Sequence, residues 1–164
     1  MRELNQIRDA VLSALRAEAL TALEAYPDQW AKRYDCPVAA VAVETAESRT
    51  VGFCNYLGEV SDPETGQVRE LYGKQLDAVI AVDIRGPRAA DCERGCETAA
   101  EILLGGLPAG IHPGELTWEA LAWERETEQF LRRGRLQCRA YFLAQTEDEE
   151  TMFLDFRLKG AVTT

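Results

Sequence analysis

The order and period of the apolar residues predict an α+β chain of two layers, a mostly antiparallel sheet packed by two main helices. The first observation is in LYGKQLDAVIAVDIRGPRAADCERGCETAAEILL, residues 71–104. Over 75–84, Leu76, Ala78, Ile80, Val82 and Ile84 alternate with Gln75, Asp77 and Asp83, the period of a half-buried strand. The second follows at once: beyond Gly86 and Pro87, Ala89, Cys92, Cys96, Ala99 and Leu103 recur at three- and four-residue steps, a helical stripe that leaves Glu93, Arg94, Glu97 and Glu101 outside. Proline donates nothing to a sheet ladder and its φ suits a helix start; the Gly105, Gly106 pair ends the helix. The third observation is that most of the remaining apolar runs alternate as strands do.

Taken in order, residues 3–25 predict a first helix. Leu4, Ile7, Val11 and Leu15 form its stripe, Leu12, Leu20 and Leu23 widen it, and Pro27 closes it. Residues 28–37, with Trp30 and Tyr34, form a connecting arm that covers the edge of the core. VAAVAVET at 38–45 is a strand of small residues for the middle of a sheet or beneath a helix; after a turn at 47–49, residues 50–56 continue the sheet. Asp62, Pro63, Thr65 and Gly66 are turn residues, so 57–71 is a long polar hairpin or loop projecting from the sheet.

A Gly- and Pro-rich loop follows the second helix. Residues 115–123 then alternate with apolar groups on both faces, Leu116 and Trp118 on one and Leu121 and Trp123 on the other. After a turn at 126–128, Phe130, Leu136, Cys138, Ala140 and Phe142 share a buried face, with Arg133, Arg135, Gln137, Arg139 and Tyr141 opposite. The acidic run 147–150 is a solvated turn, and Met152, Leu154, Phe156 and Leu158 mark a last strand. With 164 residues, 46% of them hydrophobic, one core serves the whole chain, 1–164.

Charge and cysteine usage narrow the function. A net charge of −10 argues against a nucleic-acid surface, which needs a basic field. The charged N-terminal residues hold no apolar run of signal-peptide or membrane length, which implies folding in a cytoplasm. Five cysteines, Cys36, Cys54, Cys92, Cys96 and Cys138, are an odd number at scattered spacings, suited to reduced thiols packed as small apolar groups. Cys92 and Cys96 share one helix face and with Cys36 or Cys54 have the donors for zinc, but they lie on the stripe that must be buried, so packing is the expectation.

His112, the only histidine, has no second imidazole and no serine nucleophile beside it. Nothing in the sequence separates the pKa values of Glu119, Glu124, Glu126 and Glu128, as an acid/base pair requires. No glycine pattern between strand and helix makes a phosphate loop. Neither catalytic, cofactor-binding nor metal-binding residues are assigned. Arg132, Arg133, Arg135 and Arg139 are a basic cluster in an acidic chain, either a solvated face with local ion pairs or a subunit interface.

The succession of a helix, a small-residue strand, YLGEV, ELYGKQLDAVIAVDIRGP, a helix with CERGCETAAEILL, LTWEALAWERETEQFLRRGRLQCRAYFLA and FLDFRLKG resembles the minor tail proteins of tailed bacteriophages and prophages, specifically the tail-terminator or tail-completion family. The resemblance covers nearly the whole chain through element order, without an invariant motif. It implies a non-enzymatic structural protein without cofactor, assembled in the bacterial cytoplasm into a ring, usually six-fold. The ring sits in the virion tail, ends the tail tube and contacts the head-to-tail connector, so the partners are other copies of the chain, the tube protein and the connector protein. Neither nucleic-acid sequence recognition nor a membrane is implied. Carried onto this sequence, it places ring or tube contacts on the loop from Glu59 to Arg69, including Glu64, and on the 116–139 hairpin through Trp118, Arg133, Arg135 and Arg139. Another neck or minor tail protein, a small α/β ligand-binding module and an enzyme completed between subunits are the alternatives.

Overall fold

The longest strand organises the rest. The computed structural model describes residues 2–25, 34–51 and 55–144. Within them the order is α1 (Arg2–Ala17), β1 (Thr21–Leu23), β2 (Val38–Thr50), β3 (Tyr56–Ser61), β4 (Val68–Gly86), α2 (Ala89–Gly105), β5 (Ile111–Trp118), β6 (Ala122–Glu124) and β7 (Gln129–Ala144). The sheet runs β1-β2-β4-β7-β5, with β3 added to β4 and β6 to β7; only β1 with β2 is parallel. This is the predicted α+β architecture. Nineteen residues of β4 span roughly 60 Å at about 3.3 Å each.

The alternation seen in the sequence is the division between layers. Leu76, Ala78, Ile80, Val82 and Ile84 of β4 are buried with Leu136, Cys138, Ala140 and Phe142 of β7 and Ala39 and Val41 of β2. Both helices cover this face, α1 with Ile7, Val11, Leu12 and Leu15 and α2 with Cys92, Cys96, Ala99 and Leu103. Each large aliphatic side chain so placed contributes about 1.5–3 kcal/mol. Gly95 sets the approach of α2: a Cβ there would lie 2.7 Å from Pro37 and 2.8 Å from Ile84.

Four sequence expectations need correction. The first helix ends at Ala17, not at 25. Ala19 takes the left-handed conformation (φ 60°), its N–H donates to Arg16 O at 3.1 Å, and Leu20 N–H donates to Leu15 O at 3.2 Å. That is the Schellman ending, made with alanine where glycine would have announced it. The freed chain then joins the sheet as β1.

Residues 47–49 are not a turn. They continue β2, pairing with β4 as far as Thr50 against Lys74, and a bulge between Val43 and Thr45 absorbs the change of phase. Residues 115–123 are not one strand. Residues 119–121 stand between β5 and β6 opposite 132–133 of β7, one residue too many for a continuous ladder. His112 lies inside β5, opposite Arg139, and not in a loop. The arm around Trp30, Cys54, the acidic run at 147–150 and the strand at 152–158 lie outside the described residues.

Two substitutions test these backbone features. Ala19→Gly should stabilise the chain by about 0.5–1 kcal/mol in urea unfolding, because glycine relieves the positive φ. Gly134→Ala should destabilise it by about 2–3 kcal/mol, since its Cβ would meet the Trp118 ring at 2.5 Å and Val82 O at 2.8 Å.

Candidate functional site

Beyond Thr50 the chain crosses a short break and then resumes along the same edge of β4. Strand β2 pairs with 74–85 and β3 with 68–72, so the two form successive parts of one long hairpin with β4. Asn55 (φ 64°) makes the junction: its side chain accepts from Val51 N–H at 3.3 Å and its carbonyl from Gly73 N–H at 2.9 Å. On the other edge, β7 is described only as far as Ala144 opposite Tyr72. Residues 56–71 thus form a two-stranded ribbon reaching past the described end of β7, as the sequence predicted for 57–71.

Asp62 ties the tip. Its carboxylate accepts from Glu64 N–H at 2.9 Å and Thr65 Oγ1 at 2.8 Å, and its carbonyl from Gly66 N–H at 2.8 Å. Glu64 is exposed there. Along the ribbon Glu59 stands directly opposite Glu70, and Arg69 opposite Val60. Opposed like charges destabilise a strand pair. Tyr72 hydroxyl donates to Glu70 at 2.6 Å and meets Tyr56 edge-on, ring centroids 5.8 Å apart. Desolvation, and then the charges of Glu59 and Glu70, raise the Tyr56 hydroxyl pKa. Tyr56, Val60 and Val68 are 41%, 51% and 57% exposed, three of the five exposed large hydrophobic residues among those described.

The basic cluster is divided by the sheet. Arg135 reaches Glu44, the residue inserted at the β2 bulge, and Asp83 at 3.2 Å. Arg139 donates to Asp77 at 2.7 Å, and Asp77 also accepts from Gln75 at 2.9 Å and lies 3.6 Å from Arg49. Those contacts, the Arg139 hydrogen bond foremost, hold the Asp77 carboxyl below its usual pKa. Arg135 and Arg139 are therefore neutralised by their own chain. Arg133 is exposed on the same uncovered face. Arg132 points to the other side and donates to Glu119 O at 2.9 Å. Trp118 is also on the helix side, half-buried over Gly134, so it does not join Arg133, Arg135 and Arg139 in one patch.

Sequence reasoning missed the clip that holds β6. Arg85 Nε and Nη2 donate to Glu124 at 2.7 and 3.0 Å, and Thr127 adds a hydrogen bond at 2.5 Å. Arg85, then Thr127, depress the Glu124 pKa against the opposing effect of burial. The pair is 39 residues apart in sequence and carries no local signal. A trough of about 590 Å³ crosses the uncovered face, with Thr45, Asp77, Val79, His112, Gln137 and Arg139 among its walls. His112 there meets Tyr141 edge-on at 5.8 Å. Cys92, Cys96 and Cys138 pack in the core as expected; the hydrogen bond with Cys92 and burial hold the Cys96 thiol far above its usual pKa, and burial pushes Cys138 up to about 11.

Arg135→Glu should cost about 1–2 kcal/mol in urea unfolding by setting a third carboxylate beside Glu44 and Asp83, whereas Arg133→Glu should be nearly neutral. The depressed pKa values of Asp77 and Glu124 fix the sign of the acid response. Their contribution is present above the unfolded value near pH ~4 and is lost as pH falls through the folded values. Unfolding between pH 7 and pH 2 should show this loss, and Glu124→Gln should make it smaller.

No protein-family model and no curated protein matches this chain, so its assignment rests on the sequence resemblance and on the surfaces described above.

Proposed function

We propose that this chain is a non-enzymatic structural subunit of a phage or prophage tail, which closes with copies of itself into a ring at the end of the tail tube and contacts the head-to-tail connector. The observation that carries the reading is the ribbon: a two-stranded arm with the exposed side chains of Tyr56, Val60 and Val68 and with Glu59 set directly opposite Glu70. Such surface is stabilised by contact with another molecule. The ribbon takes the principal subunit or tube contacts through Glu59 and Glu64, and Arg133 supplies cationic charge on the uncovered face. Arg135 and Arg139 act indirectly, by keeping that face rigid.

A second reading, a small ligand-binding module, draws on the trough beside His112. Light scattering across a concentration series, with electron microscopy of the large species, separates the two. The structural reading expects a closed ring, alone or on addition of tail tubes. A monomer that neither closes nor binds tubes would overturn it. His112→Ala should leave folding and ring formation unchanged, and loss of tail assembly in that variant would shift the assignment to the trough.

A further inference from the structure

The ribbon has a counterpart at the far end of the sheet. Five large hydrophobic side chains stand exposed among the described residues. Three are on the ribbon and Leu104 lies in the last turn of α2, which leaves Trp123 of β6, 53% exposed. Trp123 meets Phe130 edge-on, ring centroids 5.0 Å apart, and borders a hollow of about 240 Å³ with Ala122, Leu131 and Arg133. Glu119 and Glu124 also line it. Glu124 is held by Arg85, so the exposed Arg133 and Glu119 are the charges of the hollow left outside the ion pairs of the described residues.

The ribbon carries a set of side chains that matches this hollow. Glu59 stands opposite Glu70 and, two residues further along, Ser61 stands opposite Val68, so the four share one side of the ribbon. Two carboxylates set against each other are relieved by a cation placed between them, and a guanidinium has donors enough for both. Val68, 57% exposed, is on the same side and has apolar surface to bury. The trough beside His112 is a poorer seat for this surface. Its Arg49 and Arg139 are engaged with Glu47 and Asp77, and none of the five exposed hydrophobic side chains lines it.

We infer that the ribbon of one copy seats in the Trp123 hollow of a second copy, where Arg133 reaches Glu59 and Glu70 and Val68 packs on Trp123 and Leu131. The inference rests on the self-assembly reading above and names both halves of the joint. A subunit cannot make this contact with itself. Arg133 stands opposite Asp83, thirteen positions beyond Glu70 on β4, which is roughly 40 Å at about 3.3 Å per residue. Two different surfaces at opposite ends of the sheet give a head-to-tail contact, the kind that closes a ring when successive rotations add to a full turn.

A charge exchange tests this in the full-length chain. One variant carries Glu59→Lys and Glu70→Lys, a second Arg133→Glu and a third Trp123→Ala, and circular dichroism checks that each is folded. Light scattering at low salt, under the conditions in which the wild type closes, should show each variant weakened in self-association at least tenfold. A single chain carrying all three charge substitutions should recover the wild-type mass, because every ribbon then meets a hollow of opposite charge. Unchanged association of Arg133→Glu and Trp123→Ala would overturn the inference and leave ring formation standing. Loss in both charge variants without recovery in the combined chain would overturn the pairing of Arg133 with the ribbon, again with ring formation intact. A wild-type chain monomeric at every concentration and on tail tubes would overturn both readings.

Discussion

The continuous pairing of β4 on both edges is the constraint from which the rest follows. From Lys74 to Arg85 it is bonded to β2 on one side and, from Tyr72 to Gly86, to β7 on the other. In that register every even-numbered side chain from Leu76 to Ile84 enters the core, and Asp77 and Asp83 face water. A slip of one residue would carry both carboxylates under the helices, at a cost of several kcal/mol each. The register is therefore specified by the expense of burying charge as much as by the gain from burying Ile80 and Val82.

The same register decides which charges pair within the chain. Asp77 is set opposite Arg139, and Asp83 and the bulged Glu44 are brought to Arg135. Such pairs are partly exposed, and each contributes modestly to stability. Their larger consequence is that Arg135 and Arg139 are already paired within the chain on the uncovered face. The ribbon is the reverse case, with Glu59 against Glu70 and apolar side chains in water. A face that looks basic in sequence thus holds two arginines paired within the chain, and three of the five exposed large hydrophobic side chains among the described residues lie in the hairpin.

Much of the fold was legible because period and burial are local quantities. The β4 alternation, the α2 stripe from Cys92 to Leu103, the split of β7 into an apolar and a charged face, and the turn at Asp62 and Gly66 are all present as described. The misread boundaries share one cause, signals carried by residues that do not advertise them. Ala19 adopts a glycine's conformation, the bulge at Glu44 hides the continuation of β2, and the extra residue at 119–121 divides an apparently continuous strand. Nothing in residue type marks any of these: the bulge and the extra residue are set by pairing partners far along the chain, and the Ala19 turn closes through the backbone of Leu15 and Arg16.

The sequence by itself determined the layers, for an alternating or a helical stripe of apolar residues has one stable way to leave water. It also determined that the chain is acidic and that Arg133, Arg135 and Arg139 share a side of one strand. Only the tertiary structure decided that Trp118 belongs to the opposite side, that Arg85 clips Glu124, and that two of those three arginines are already paired. The reason is that a charge's partner is set by strand order and register, which join residues up to 91 positions apart in the Glu44 and Arg135 pair, and no local pattern records that distance.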